Sequence, residues 1–219
     1  KYISLVPEQN RAQILKNEKR YIENIELNAN RFELRTLAIN SPNSDFGGSL
    51  FKDQLVFSSS RESKNIYKRT HTWTGLPFTT LFSGTINSDG LVAEPKKFAK
   101  SLDSKYNEST PVFTKDGKTV YFTRNNYLKG EKKQNKEGSV LLKIYRAQLN
   151  EKQEWDNIIE LPFNSDDFQV AHPALSPDEK TLYFASDRPG SIGKSDIYKV
   201  EIKPDGNFGE PENLGKSIN

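Results

Sequence analysis

The sequence holds no cysteine, which excludes disulfides, thiolate metal sites and a cysteine nucleophile. Methionine is absent as well, and nothing in the sequence gives a physical reason for it. No apolar run approaches the roughly 20 residues that span a bilayer as a helix. Histidine is scarce, at two residues, so only His71 and His172 are available to a Ser-His-Asp arrangement, and no Gly-x-Ser-x-Gly elbow accompanies them. Net charge is small too. Thirty-two basic residues face 29 acidic ones, for +3 overall, whereas nucleic-acid binding needs a concentrated basic surface. The densest basic stretch, Lys129 to Lys136, is broken by Gly130, Glu131 and Asn135 and reads as a solvated loop. The chain opens on Lys1 with no signal-like apolar segment, so a processed product or a fragment is the expectation.

What the sequence does hold is turn formers and rings. Thirteen Phe, nine Tyr and two Trp accompany 13 Gly and 11 Pro, a composition that favours short strands joined by turns. A repeat organises them. STPVFTKDGKTVYFTRN, from Ser109, matches AHPALSPDEKTLYFASD, from Ala171, and more weakly GGSLFKDQLVFSSSR, from Gly47. Phe57, Phe122 and Phe184 then recur at intervals of 65 and 62 residues. A second anchor, Phe82, Tyr145 and Tyr198, follows at intervals of 63 and 53, the shorter one reflecting a shorter loop. Each copy contains four candidate strands, with type I turn chemistry at Ser176-Pro177-Asp178-Glu179 and Lys115-Asp116-Gly117-Lys118. The near-continuous apolar run Thr181-Leu182-Tyr183-Phe184-Ala185 predicts a strand covered on both faces. Four antiparallel strands per repeat, stacked about an axis, describe a β-propeller blade. The fold expected is therefore all-β, about three four-stranded antiparallel blades over residues 31–219. Residues 8–29, charged with Ile14, Tyr21, Ile22 and Ile25 at helical intervals, predict an amphipathic helix in an N-terminal segment, 1–30. Residues 31–40 alternate apolar and polar and predict a strand leading into the first blade.

Residues 172–198, HPALSPDEKTLYFASDRPGSIGKSDIY, resemble the PD40, or WD40-like, β-propeller repeat shared with the TolB propeller. NSPNSDFGGSLF, FSSSR, FTKDGKTVYFTRNNY and NLGKSIN look like the propeller of OmpA-family envelope proteins of Bacteroidota. The resemblance covers residues 38–219. It implies a periplasmic, outer-membrane-associated protein whose propeller docks a protein partner, in a family with members encoded beside outer-membrane components of type IX secretion and gliding. In that family the propeller follows TPR-like helices and precedes a peptidoglycan-binding domain, which this sequence does not contain. The family's Gly-Gly-x-Gly becomes Pro189-Gly190-Ser191-Ile192-Gly193, and its Asp-Gly turn becomes Asp178-Glu179. Three blades fall short of the four to eight that close a ring, so a longer protein or a covering partner is expected.

No catalytic, cofactor-binding or metal-ligating residue is expected. His172 takes the strand-start slot of Thr110 and reads as structural, and His71 reads as packing beside Trp73. Asn164-Ser165-Asp166-Asp167 could gather around a hard cation, but a turn cap is the better reading. Asp187 and Asp196, flanking the Gly190–Gly193 loop, likewise read as Asx-turns. Interaction residues are expected where loops interrupt the repeat. These are Trp73 in HTWTGLPFTTLF, Arg124, Asn125, Asn126 and Tyr127 at the start of the loop over residues 123–139, and Arg188. A non-catalytic envelope scaffold is the leading expectation. Propeller glycosidases and propellers that bind peptides or small ligands are the alternatives.

Overall fold

The computed structural model describes residues 21–29, 31, 35–61, 70–71 and 74–219. The chain divides after Thr36. Ahead of that point lies one described helix, α1 (Tyr21–Ala29). Leu37–Asn219 carries all the strands found among the described residues.

Each repeat folds as one antiparallel four-stranded sheet. The first contains β1 (Asp45–Phe51), β2 (Gln54–Ser59), β3 (Thr80–Ile86) and β4 (Val92–Lys97) in spatial order. The second uses β5 (Glu108–Phe113), β6 (Thr119–Asn125), β9 (Leu142–Leu149) and β10 (Trp155–Glu160). Its intervening loop carries a small hairpin, β7 (Tyr127–Leu128) with β8 (Glu131–Lys132). The third has β11 (Val170–Leu175), β12 (Thr181–Ser186), β13 (Asp196–Glu201) and β14 (Glu212–Asn213). Both anchors of the repeat pair across strands two and three of their sheets: Phe57 opposite Phe82, Phe122 opposite Tyr145, Phe184 opposite Tyr198.

Strand alternation distributes the core. Val120, Phe122, Tyr145 and Ala147 pack toward the first sheet, against Val56 and Leu81. Tyr121 and Ile144, one residue out of phase, pack toward the third, against Leu182, Phe184 and Tyr198. The middle strand β6 is accordingly buried along both faces from Val120 to Arg124. Its counterpart β12 alternates between buried Leu182, Phe184 and Ser186 and half-buried Thr181, Tyr183 and Ala185. The two-sided cover expected of residues 181–185 belongs instead to β6, whose sheet is flanked on both sides.

The sheets are joined through a bulge repeated in each first strand. Register shifts fall between Phe46 and Ser49, Ser109 and Val112, and Ala171 and Ala174. Gly47, Thr110 and His172 occupy the bulges with φ of 64°, 45° and 58°. The freed N–H of Thr110 donates to Ser58 Oγ of the preceding sheet at 3.0 Å, and that of His172 to Thr123 Oγ1 at 2.8 Å. His172 is therefore the structural counterpart of Thr110, as its place in the repeat implied. A Cβ on Gly47 would stand 2.9 Å from Thr110 Cγ2, which accounts for glycine there.

The strand expected over residues 31–40 does not form within its described part. Residues 35–40 carry no strand, and Asn40 closes a turn onto Leu37 O at 3.1 Å. Leu37 and Ile39 spend their apolar character packing on Phe57, Phe82 and Val92. Alternation records burial of every second side chain, and here a connecting segment achieves it without pairing. Residues 8–20 of the expected helix lie outside the described residues, while 21–29 are helical.

Candidate functional site

Because successive strands reverse direction, the tight turns gather at one end of the sheets and the long connections at the other. The turn end has Lys52, Gly117 and Glu179 at one repeated turn position, all in the left-handed region. Turns of adjacent sheets touch there, with the Lys115 N–H donating to the Glu179 carboxylate. The loop end holds the connections from strand two to strand three and the links between sheets. Every interaction residue expected from the sequence and described here lies at the loop end.

The loop end is built on three guanidinium clamps. Arg61 stacks 5.0 and 5.3 Å from the ring centroids of Phe57 and Phe82, and Arg124 stands at the same two distances from Phe122 and Tyr145. Arg188 lies 5.2 and 5.0 Å from Phe184 and Tyr198, with Phe168 as a third ring at 5.0 Å. Each donates through Nη2 to a carbonyl of the segment entering its sheet: Ile39 at 2.8 Å, Leu102 at 2.6 Å and Phe163 at 3.0 Å. A cation held over rings and bonded to main chain fastens one sheet's entry to the sheet's own aromatic pair. Arg61 and Arg188 stand four residues after their anchor phenylalanines, whereas Arg124 stands two after its own. That offset hides the equivalence in the sequence.

Two of the clamps close on a carboxylate. Asp45 Oδ1 accepts from Arg61 Nη2 at 2.8 Å, and Glu108 Oε1 accepts from Arg124 Nε at 3.1 Å. Burial opposes ionisation of Asp45, but bonds from Arg61, Ser59 and Ser41 outweigh it and bring the carboxyl down to about 2. Glu108 is 1% exposed and Arg124 3%. There burial dominates and pushes the Glu108 carboxyl up to about 7, against the attraction of Arg124.

Above these clamps, half-buried rings form a ladder contributed by three separate connections. His71 meets Phe78 at 5.7 Å, Phe78 meets Tyr106 at 5.9 Å and Tyr106 meets Tyr127 at 5.3 Å. An amide chain fixes it from beneath. Asn107 accepts from the Thr79 N–H at 2.9 Å and donates through Nδ2 to Asn125 at 3.0 Å, and Asn125 donates to Val140 O at 3.0 Å. Tyr127 and Arg124 also border a cleft of about 500 Å³ with Asp103, Ser104, Trp155 and Ile158.

The expected interaction residues thus separate by role. Tyr127 presents its ring at the surface, Asn125 braces the ladder, and Arg124 lies beneath it in the clamp. Asn126 is buried and donates to Asp166 at 2.8 Å, beside Lys143, which bridges Glu160 and Asp166 at 2.5 Å each. Trp73 lies outside the described residues. Arg188 stands apart, between the second and third sheets. Tyr106 escaped the sequence reading, although the repeat spacing aligns it with Phe168 and so marks it as a ring at a sheet entry. The acidic stretches bond within the chain: Asn164 brackets both main-chain groups of Ile144 in β9, Asp166 accepts from Asn126 and Lys143, and Asp196 accepts from the N–H groups of Ile192 and Gly193.

The fold defines a class at the level of architecture, a β-protein of repeated four-stranded antiparallel sheets. No family model matches the chain, and no curated protein matches it. Solved structures similar to it include a putative TolB from Agrobacterium tumefaciens, 13% identical, covering 81% of this chain and 50% of that one, TM-score 0.45. An alpha-L-arabinofuranosidase from Lactobacillus brevis is 15% identical over 80% of this chain and 54% of its own, TM-score 0.47. A puromycin-hydrolyzing peptidase of Mycobacterium tuberculosis is 14% identical over 82% and 24%, TM-score 0.42. The chain spans between about a quarter and just over half of these proteins. At TM-scores below 0.5, neither their activities nor their partners transfer to it.

Proposed function

We propose that the three sheets are consecutive blades of a WD40-like β-propeller, and that the chain is a non-catalytic scaffold of the cell envelope. In this reading it works in the periplasm, associated with the outer membrane, and docks a protein partner on its loop end. The observation that carries the docking role is the ladder Phe78–Tyr106–Tyr127. Three connections that the sheets do not need for pairing converge to hold half-exposed rings in fixed positions. Rigid aromatics with a polar tip, mounted on a braced scaffold, are the chemistry of protein recognition. The non-catalytic part rests on the fate of the charged groups beneath. Glu108 has an acid's raised pKa, but it is sealed from solvent and bonded to Arg124, so no substrate reaches it. Asp45, Asp166 and Glu160 are bonded to Arg61 or Lys143.

The test compares the full protein with a Tyr106→Ala/Tyr127→Ala variant, each tagged and recovered from its own membranes, with circular dichroism confirming equal folding. The expected outcome is an envelope protein retained by the parent and lost from the variant. Identical retention by both would overturn the docking role of the ladder, and turnover of a glycoside or peptide substrate by the purified protein would overturn the non-catalytic reading.

A further inference from the structure

The two junctions between sheets differ at their outer grooves. At the second junction Arg146, one residue past the anchor Tyr145, crosses to the turn after β13 and donates through Nη1 to Gly206 O at 3.1 Å. Its counterpart at the first junction, one residue past the anchor Phe82, is Ser83. The counterpart of Gly206 is Gln153. Each N–H bonds three residues back within its turn, and both residues are left-handed, at φ of 79° and 60°. A serine is too short to cross to that turn. Between Ser83 and Gln153 lies an open groove of about 630 Å³, within the roughly 300–1,000 Å³ usual for ligand sites.

Two polar groups in its lining have no partner. Ser83 is 1% exposed and Trp155 4%. Among the described residues neither the Ser83 hydroxyl nor the Trp155 indole N–H forms a hydrogen bond. Packing alone does not call for that donor. Val92 and Phe208 hold the equivalent positions in the other sheets, opposite Ile86 and Ile202 as Trp155 is opposite Leu149. Half-buried Phe51 and Phe98, with ring centroids 5.6 and 6.2 Å from that of Trp155, add apolar surface to the lining.

Charge decides the class of occupant. Lys52, Lys96 and Lys100 stand on the first-sheet wall, and Glu154 and Asp156 on the second-sheet wall. A guanidinium placed as Arg146 is placed would meet the three lysines, and a carboxylate would meet the two acids. A neutral ligand satisfies both walls when its groups accept from the indole and the lysines and donate to the acids and the Gln153 amide. C–H groups of the same ligand can lie on the aromatic surface. Sugar rings combine these features. We infer that the groove between the first and second sheets binds a neutral saccharide chain, held through its hydroxyl groups by Ser83, Gln153 and Trp155. The inference is independent of the loop-end docking reading, because the groove shares no residue with the ring ladder.

The experiment titrates the full chain with maltotetraose, cellotetraose and chitotetraose and follows the Trp155 indole N–H and the Gln153 backbone N–H by NMR. Glycerol, which has hydroxyls but no ring, and acetyl-arginine-amide serve as competing probes. The expected result is a saturable shift of both resonances with at least one tetrasaccharide, and only linear drift with glycerol. Ser83→Arg, copying Arg146, should fill the groove and abolish the response. Should that variant fail to fold, Trp155→Phe, copying Phe208, keeps a ring and removes the donor. It should raise the half-saturation concentration read at Gln153 roughly tenfold, the effect of about one lost hydrogen bond. Linear shifts with all three tetrasaccharides, or equal shifts with glycerol, overturn the inference, as does saturation unchanged in the variants. Tighter saturation by acetyl-arginine-amide would assign the groove to a cationic side chain and overturn the saccharide class.

Discussion

Glu108 supplies the sharpest quantitative expectation. Its carboxyl is raised from 4.5 to about 7 because the folded chain buries it. A carboxyl whose pKa is higher folded than unfolded favours folding while protonated. Its contribution is therefore complete below about pH 4.5 and is lost as pH rises through 7. Two and a half pK units correspond to about 3.5 kcal/mol, at roughly 1.4 kcal/mol per unit, of which about 3 kcal/mol falls between pH 4.5 and 8. The group is 1% exposed, so solvent screening does not reduce that figure. The perturbation is Glu108→Gln, which keeps an oxygen for Arg124 Nε and removes the ionisation. The assay is urea unfolding of both proteins from pH 4.5 to 8. Other groups titrate in the parent and the variant alike and cancel in the difference: Asp45 acts only in more acid solution, and burial lowers the pKa of His172 in both. The parent should lose about 3 kcal/mol relative to the variant across this window. A difference independent of pH would refute the reasoning, since Arg124 would then be holding Glu108 ionised throughout.

Other substitutions probe the frame. Arg124→Met leaves Glu108 buried without its cation and should cost about 3–5 kcal/mol above pH 7, read as a drop in the urea midpoint. Thr123→Val removes the acceptor for the His172 N–H and should cost about 1–3 kcal/mol. Its thermal melt should fall while Ser58, one sheet earlier, keeps its bond to Thr110. Gly84→Ala places a Cβ 2.6 Å from Val92 Cγ1 and 2.9 Å from Ala93 O. Overpacking of that kind costs about 1–3 kcal/mol and should appear as a lower melting temperature.

The sheets were legible because their information is local and repeated. Phe-anchored second strands, Asp-containing turns and a second aromatic anchor returned in order, and the structure pairs those anchors across strands. The clamps were only half legible. Arg124 and Arg188 drew notice as loop residues, but Arg124 reaches the rings from a different offset, and Asp45 and Glu108 are joined to their arginines only by strand register. Phe78 carries no motif of its own and Tyr106 is marked only by its repeat position, and the two become neighbours when two sheets stand side by side. The stretch expected as a strand over residues 31–40 misled for the opposite reason, since Leu37 and Ile39 in its described part pack on Phe57 and Phe82 without a ladder.

The claim that matters most is that the loop end, and not the turn end, receives a partner. A photo-crosslinking amino acid placed at Tyr127 of the full protein in its native cells, with Asp89 at the turn end as control, tests it directly. A discrete cross-linked adduct at position 127 and none at position 89 is the predicted result. Adducts at both positions alike, or none at 127, would contradict it.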